Sequence, residues 1–358
     1  MGGSHISAAL LIQNIDRQRF EPIVILHKDG PLRHFLTKES INHRFLNIPC
    51  FAGTTPKIVD IAASIARTTP TLYGFLRDNK IDIVHSNDLR MNLTWPFPTR
   101  LATARFVWHQ RLVVSGSPLW KILCSASNHI VSISHTVRET LPASGHGRAT
   151  IVPDPFAKYQ SLPHEEAKAQ LLHNLGIAPP ASVIGFVGNM THQKRPLMFV
   201  KAAHLLAQNQ SKIIFVMVGD DRGGKLSDAQ LLAKRLRIER NVFCIGHKYP
   251  IEPWLSAFDV LLAPAVLEGY GRAVIEALLC GTPVVASNSG GHQEIVTNND
   301  RGYLAAPDDA DAFATATQVL LNRESRVPEE ERALLEQQHS SENHVKCIEA
   351  IYDTLIQR

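Results

Sequence analysis

No apolar run in this 358-residue chain approaches 18 residues, and nothing like a secretory signal precedes its first helix-like stretch. Neither a membrane-spanning helix nor secretion by a visible signal is expected. The five cysteines, Cys50, Cys124, Cys244, Cys280 and Cys347, stand far apart, with no Cys-x2-Cys pair and no cysteine–histidine cluster at metal spacing. A reduced cytosolic protein without a metal centre fits that pattern. The Gly-x-Gly-x2-Gly dinucleotide fingerprint is missing, which argues against an oxidoreductase. Basic residues do not interleave with aromatics along a stripe, so nucleic acid is not an expected partner. Gly219 to Lys225 does fit Gly-x4-Gly-Lys, the start of a triphosphate loop. However, Leu226 occupies the place of the magnesium-holding hydroxyl, and Asp220 and Asp221 would repel phosphates, so a kinase or ATPase is not expected.

What remains is an ordinary globular composition. The length suggests two domains, and 44% hydrophobic residues give each enough material for its own core. The net charge of +4 is unevenly spread: residues 1–150 hold 17 Lys and Arg against 9 Asp and Glu, and the remainder 20 against 24. A basic first half suits an acidic partner such as a lipid diphosphate, an anionic saccharide or a membrane surface; the alternative is a solvated surface with a chance imbalance.

Strand and helix patterns alternate along the chain. Short apolar strands are expected at Pro22–His27, Phe45–Ile48, Ile81–His85, Phe106–His109 and Ile130–Ser132, with a long helical stretch over Pro56–Leu76. Pro153 and Pro155 interrupt the rhythm and mark an expected domain boundary. Beyond it, strands at Val183–Val187, Ile213–Val218, Val242–Ile245, Asp259–Ala263 and Pro283–Ala286 alternate with helices such as Pro196–Ala207 and Asp228–Leu236. Such alternation implies parallel sheets covered by helices on both faces, an α/β architecture. Near the start, Gly2-Gly3 opens a helix-like run with no strand before it, whereas a doubly wound domain normally supplies one.

The stretch Pro264–Glu294 organises the rest. An apolar strand ending at Ala263 leads into Glu268-Gly269-Tyr270-Gly271, and Ala273–Leu279 has helix composition closed by Gly281. A glycine loop opening a helix presents unpaired N–H groups and the positive end of the helix dipole, a seat for phosphate or diphosphate. Glu268 and Glu276 would repel that phosphate unless they faced an uncharged part of the ligand, and sugar hydroxyls suit them.

These residues resemble the retaining family-4 glycosyltransferases of the GT-B fold, the glycosyl transferases group 1. The likeness lies in Pro-x3-Glu-Gly-(aromatic)-Gly-x4-Glu-Ala, followed by Gly-Thr-Pro-Val-Val-Ala and Gly-Gly-x2-Glu. It implies two doubly wound Rossmann-like domains facing across a cleft: an acceptor-side domain over 1–154, a donor domain over 155–341, and a terminal helix, 342–358, crossing back onto the first. It also implies a strand ahead of Gly2-Gly3 that this sequence does not show.

The resemblance assigns roles residue by residue. Glu276 is expected on the ribose, Glu268 on the donor sugar, and Lys194 with the amides of Gly269, Tyr270, Gly271 and Arg272 on the diphosphate. Gly188-Asn189-Met190-Thr191-His192-Gln193-Lys194-Arg195 is similar to the family's Gly-Arg-x4-Lys element, but Asn189 replaces the arginine. Arg195, His192 or Arg272 then has to supply the second cation, and Arg272, inside the glycine loop, is the favoured one. His109, at the end of a strand, matches a family histidine beside the donor sugar; read alone, one histidine among seventeen is more often structural. Gly2 and Gly3 match a glycine loop that approaches the donor or acceptor.

The expected activity is transfer of a sugar from a nucleoside-diphosphate donor to a saccharide, lipid-linked or other small acceptor, with retention and without a metal or cofactor. The expected location is cytoplasmic, with peripheral contact at the inner membrane face. The rival readings are a non-catalytic GT-B-like partner subunit, favoured by Asn189, and an epimerase or phosphorylase of the same fold.

Overall fold

Segments three to six residues long, too short for helices and most of them apolar, fold in this chain as parallel strands joined by helical crossovers. The computed structural model describes residues 3–48, 58–113, 118–158, 162–209, 212–323 and 325–357. The chain divides into two units, Met1–Ala157 with Gln338–Arg358, and Lys158–Gln337, against the expected divisions after 154 and 341.

The first unit opens with helix α1 (Gly3–Asn14), then β1 (Val24–Leu26), α2 (Pro31–Lys38), β2 (His43–Phe45) and the long helix α3 (Ile58–Asp78). Strands β3 (Ile83–Ser86), β4 (Arg105–Gln110), β5 (His129–Ser132) and β6 (Ala149–Ile151) follow. These last four form one parallel sheet in the order β3-β4-β5-β6, while β1 and β2 pair separately. The strand expected at Phe45–Ile48 ends at Phe45, although the Leu46 amide still donates to Leu26.

Side-chain alternation along β4 sorts its residues between two cores. Phe106 and Trp108 pack with Ile61, Leu72 and Leu76 of α3. Val107 faces the opposite way, among Leu11 of α1, Ile15 just after it, and Val345, Ile348, Ile351 and Tyr352 of the helix Ser341–Ile356. That last helix is amphipathic, and its start is capped by the Ser340 hydroxyl, which accepts from the Asn343 amide. His109, two residues beyond Val107 in β4, shares its face, which brings it near the same terminal helix.

The second unit is a six-stranded parallel sheet in the order β12-β11-β10-β7-β8-β9. Its strands are β7 (Ser182–Val187), β8 (Ile213–Val218), β9 (Val242–Cys244), β10 (Val260–Ala263), β11 (Val284–Ser287) and β12 (Gly302–Ala305). Val183, Ile184, Phe215, Val216, Val260, Val284 and Val285 are fully buried, as strands covered on both faces require. The chain builds outward from β7 to β9 on one side, then returns to place β10 against the other side of β7. The crevice at the carboxyl ends of β7 and β10 is therefore the topological switch point, where ligands of open parallel sheets bind.

Candidate functional site

Two loops leave that switch point together. The loop after β7 runs from Gly188 through Lys194, and the loop after β10 runs from Pro264 through Gly271. They are stitched by the Val266 amide donating to Gln193 (3.0 Å) and the Gln193 side-chain amide donating to Leu267 (3.0 Å). With the backbones locked, Lys194 Nζ lies 2.6 Å from Glu268 Oε2, both side chains mostly withdrawn from solvent. A cation and a carboxylate so placed neutralise one another in the free site, and each can be reassigned to a ligand carrying both phosphate and hydroxyls.

A glycine pair positions the Glu268 loop from behind. Gly290 and Gly291 lie flat against it, and the Gly291 amide donates to Glu268 O at 2.9 Å. A Cβ at Gly291 would stand 2.5 Å from Tyr270 Cα, so only glycine admits this approach.

Gly271, at φ +103, turns the chain into the helix Arg272–Leu279 without any side-chain cap. The Gly271 carbonyl already accepts from the Val274 amide, so the first turn is wound and ready. Val274, Ile275, Ala277 and Leu278 bury the inner face of this helix. Glu276 lies off that face, 3.3 Å from Arg272 one turn earlier.

His292 follows the glycine pair directly and escaped the reading of the sequence, although it stands inside the motif Gly-Gly-x2-Glu. It is 2% exposed. The Ser287 hydroxyl donates to the Ala265 carbonyl, so its oxygen is left to accept from His292 Nδ1, at 3.2 Å. Nε2 then carries a lone pair, beside Gly271. Burial pushes the imidazole down to about 4; Glu268 opposes the shift and Lys194 adds to it, so the ring is neutral near pH 7.

The other residues singled out in the sequence are dispersed. Arg195 is turned toward Pro307 and Asp308, donating to the Pro307 carbonyl at 2.5 Å and pairing with the Asp308 carboxylate. Asn189 sits in the loop after β7, where its carbonyl accepts from the Thr191 amide. Gly188, at φ +156, lies under the methylenes of Lys194. Gly3 begins α1, and Gly2 lies outside the described residues.

In the first unit, His109 is 1% exposed at the end of β4. Its Nδ1 receives two neighbours, His85 Nε2 at 3.1 Å and an Arg111 nitrogen at 3.3 Å. Arginine only donates, so Nδ1 accepts and the proton sits on Nε2, which has no hydrogen-bond partner. Tyr352, from the terminal helix, stands 2.5 Å from His85 Nδ1 and completes the relay. Burial first, then Arg111, His85 and His344, holds His109 well below the usual imidazole range. The ring is a neutral N–H donor, anchored through Arg111 to Asp154 and to Asn87. His85, His344 and Tyr352 carry no signal in the sequence that would single them out. Among the described residues no cluster of three or more His, Cys, Asp or Glu could hold a metal ion.

Comparison with known proteins bears on family and fold. Residues 168–339 match the family described as glycosyl transferases group 1. The UDP-Gal:alpha-D-GlcNAc-diphosphoundecaprenol alpha-1,3-galactosyltransferase of Escherichia coli is 24% identical over 322 residues, 84% of this chain and 80% of that protein. The D-inositol 3-phosphate glycosyltransferase 2 of Catenulispora acidiphila is 32% identical over 163 residues, 43% of this chain and only 38% of its own length. Among solved structures, Anabaena HepE in complex with UDP and glucose superposes with a TM-score of 0.82 at 19% identity, covering 98% of this chain and 96% of that one. That likeness shows the fold, GT-B, with its two Rossmann-like domains.

Proposed function

We propose that the chain, whose residues 168–339 match the glycosyl transferases group 1, moves a sugar from a nucleoside-diphosphate donor to a saccharide or lipid-linked acceptor, with retention of anomeric configuration. The observation that carries the proposal is the pairing of Lys194 with Glu268 at the switch point, beside the amino end of the helix Arg272–Leu279. Donor binding exchanges this internal pair for two external ones. Lys194 turns to the diphosphate, whose leaving charge it stabilises together with the loop amides of residues 269–272, and Glu268 accepts hydrogen bonds from the sugar hydroxyls. Glu276, partly neutralised by Arg272, accepts from the ribose hydroxyls. The departing phosphate oxygen takes the acceptor proton, so no protein nucleophile is required. For His109 the role toward the donor sugar is proposed from the resemblance alone.

The relatives support the substrate classes: one acts from UDP-Gal on a diphosphoundecaprenol-linked sugar, and the structural neighbour holds UDP and glucose. The excess of basic residues within 1–150 supports an anionic, lipid-linked acceptor at a cytoplasmic membrane surface. No described helix is long and apolar enough to cross a membrane.

Incubation with a panel of sugar nucleotides, with and without lipid-diphosphate and saccharide acceptors, tests the proposal. Release of nucleoside diphosphate together with a product heavier by one sugar supports it. A chain that binds a donor without consuming it supports the partner-subunit reading, which Asn189 and the engaged Arg195 favour. A chain that neither binds nor consumes any donor defeats the transferase assignment.

A further inference from the structure

One outer face of the first unit carries large apolar side chains where surface helices normally carry polar ones. After β3 the chain forms two short helices, α4 (Leu89–Thr94) and α5 (Pro96–Leu101), and after β4 the helix α6 (Pro118–Ala126). Leu93, Trp95, Leu123 and Cys124 enter the same core as Phe106 and Trp108 of β4, and Trp120 stacks on Trp108 at 5.7 Å. α5 touches both α3 and α6. These helices therefore cover one face of the sheet and turn their remaining sides to the same solvent. The outward positions are Phe97, Arg100 and Leu101 on α5, at i, i+3 and i+4, and Lys121, Ile122 and Ser125 on α6. Phe97 is 53% exposed, Leu101 50% and Ile122 66%.

The charge around them has one sign. Residues 89–138 hold Arg90, Arg100, Arg105, Arg111, Lys121 and Arg138 but no Asp or Glu, whereas 33 acidic residues spread evenly over 358 would put four or five in such a span. Among the described residues, Arg111 alone of these six cations is ion-paired, to the buried Asp154. Arg100 and Lys121 are exposed and keep their charge for a partner.

We infer that the α5–α6 face docks on an anionic bilayer surface, with Phe97, Leu101 and Ile122 entering the headgroup boundary and Arg100 and Lys121 meeting lipid phosphates. A protein partner would be met by a contiguous apolar centre, poor in lysine, inside a polar rim. Here each apolar side chain adjoins a cation instead: Arg100 lies between Phe97 and Leu101, and Lys121 precedes Ile122. At a membrane that pattern places every apolar tip in the acyl boundary while the neighbouring charge snorkels to the headgroups. Neither signal suffices alone, and the two together hold a protein at the surface. The inference rests on the lipid-linked-acceptor reading for its purpose and on this face for its evidence.

Sedimentation of the 358-residue chain with vesicles tests it, using phosphatidylcholine alone and phosphatidylcholine with about one third phosphatidylglycerol. Neither vesicle contains a sugar donor or acceptor. An inactive chain that binds leaves the inference standing, and an active chain that does not bind overturns it alone. Binding is expected to the anionic vesicles only. Arg100→Glu with Lys121→Glu should weaken it at least about 25-fold, about fivefold for each cation removed. Phe97→Ser with Ile122→Ser should weaken it about tenfold or more at unchanged charge. Lys201→Glu with Lys212→Glu, an equal change of charge at exposed residues of the second unit, should alter it far less. Equal loss in that control, no effect of the serine pair, or equal binding to both vesicles overturns the inference. In the unaltered chain, anionic vesicles should slow hydrogen exchange at the amides of α5 and α6 and leave the helix Pro196–Asn209 unchanged; no slowing overturns it. Self-association in light scattering that the serine pair abolishes, without vesicle binding, makes the face an interface between copies of this chain and overturns the bilayer.

Discussion

Nε2 of His85 lies 3.1 Å from Nδ1 of His109, and this contact, with Arg111 alongside, decides which nitrogen of His109 carries its proton. The consequence is a fixed Nε2–H on a buried, neutral ring. His109→Phe removes the donor and should lower the transfer rate about 100-fold; His109→Gln, whose amide reaches a similar place, should retain more. His85→Phe leaves the ring in place but takes away one of its two donors. Nitrogen NMR should still show His109 protonated on Nε2, because Arg111 keeps donating to Nδ1, and a ring protonated on Nδ1 would contradict the assignment.

Lys194→Ala should separate binding from chemistry. Loss of a cation from a leaving diphosphate costs about 100- to 1,000-fold in kcat. Stability should change far less, by about 1 kcal/mol, because a pair mostly but not fully withdrawn from solvent lies between the exposed and buried limits. Single-turnover rates and thermal unfolding of the same preparation read the two quantities.

Glu276→Ala should raise the donor Kd about 10- to 100-fold, the value of a charged hydrogen bond or two to ribose. Glu166→Ala is the matched control: Glu166 is exposed on the helix His164–Leu175, and its carboxylate accepts from Gln170. Equal effects in calorimetric titration with the nucleoside diphosphate would remove Glu276 from the ribose.

Acid should destabilise the fold through buried histidines. Burial depresses His292 and His344 to about 4, below the roughly 6.5 of an unfolded chain. A group whose folded value lies below its unfolded one contributes stability that is complete above pH 6.5 and is lost as the pH falls toward 4. Each can remove up to about 3 kcal/mol over that window. Denaturant unfolding at pH 7.5, 6 and 5 should show the decline, and His292→Gln should flatten it.

Two glycine substitutions should move in opposite directions. Gly291→Ala drives a methyl into the Tyr270 backbone and should cost about 1–3 kcal/mol along with donor affinity. Gly74→Ala, inside α3 with nothing within 4 Å of the new carbon, should stabilise by about 0.5–1 kcal/mol. Thermal denaturation of both variants checks the contrast.

The donor-side loop was legible because its residues are contiguous: Glu268, Gly271 and Glu276 declare a strand, a glycine turn and a helix within thirteen positions. Lys194 was legible because it follows a strand at a fixed distance. His292 required knowing that Gly290 and Gly291 fold back against Glu268, a contact between backbones that no side-chain pattern encodes. The relay around His109 joins residues up to 267 positions apart, through a strand pairing and a terminal helix. Strand β12 went unread as well: Gly302-Tyr303-Leu304-Ala305 lacks β-branched residues, and its glycine is there because Val284 O approaches within 1.8 Å of where a Cβ would stand.

Tyr352, which touches His85, belongs to a helix separated from the rest of its unit by the whole of Lys158–Gln337. During translation at about 5–20 residues per second, that interval lasts on the order of ten seconds or more. The sugar-nucleotide side of the molecule can fold within it, while the face of β4 that waits for Val345, Ile348 and Ile351 stays uncovered. A nascent chain thus has the loops of Lys194 and Glu268 in place before His109 has its final proton arrangement, which waits for the last helix to dock.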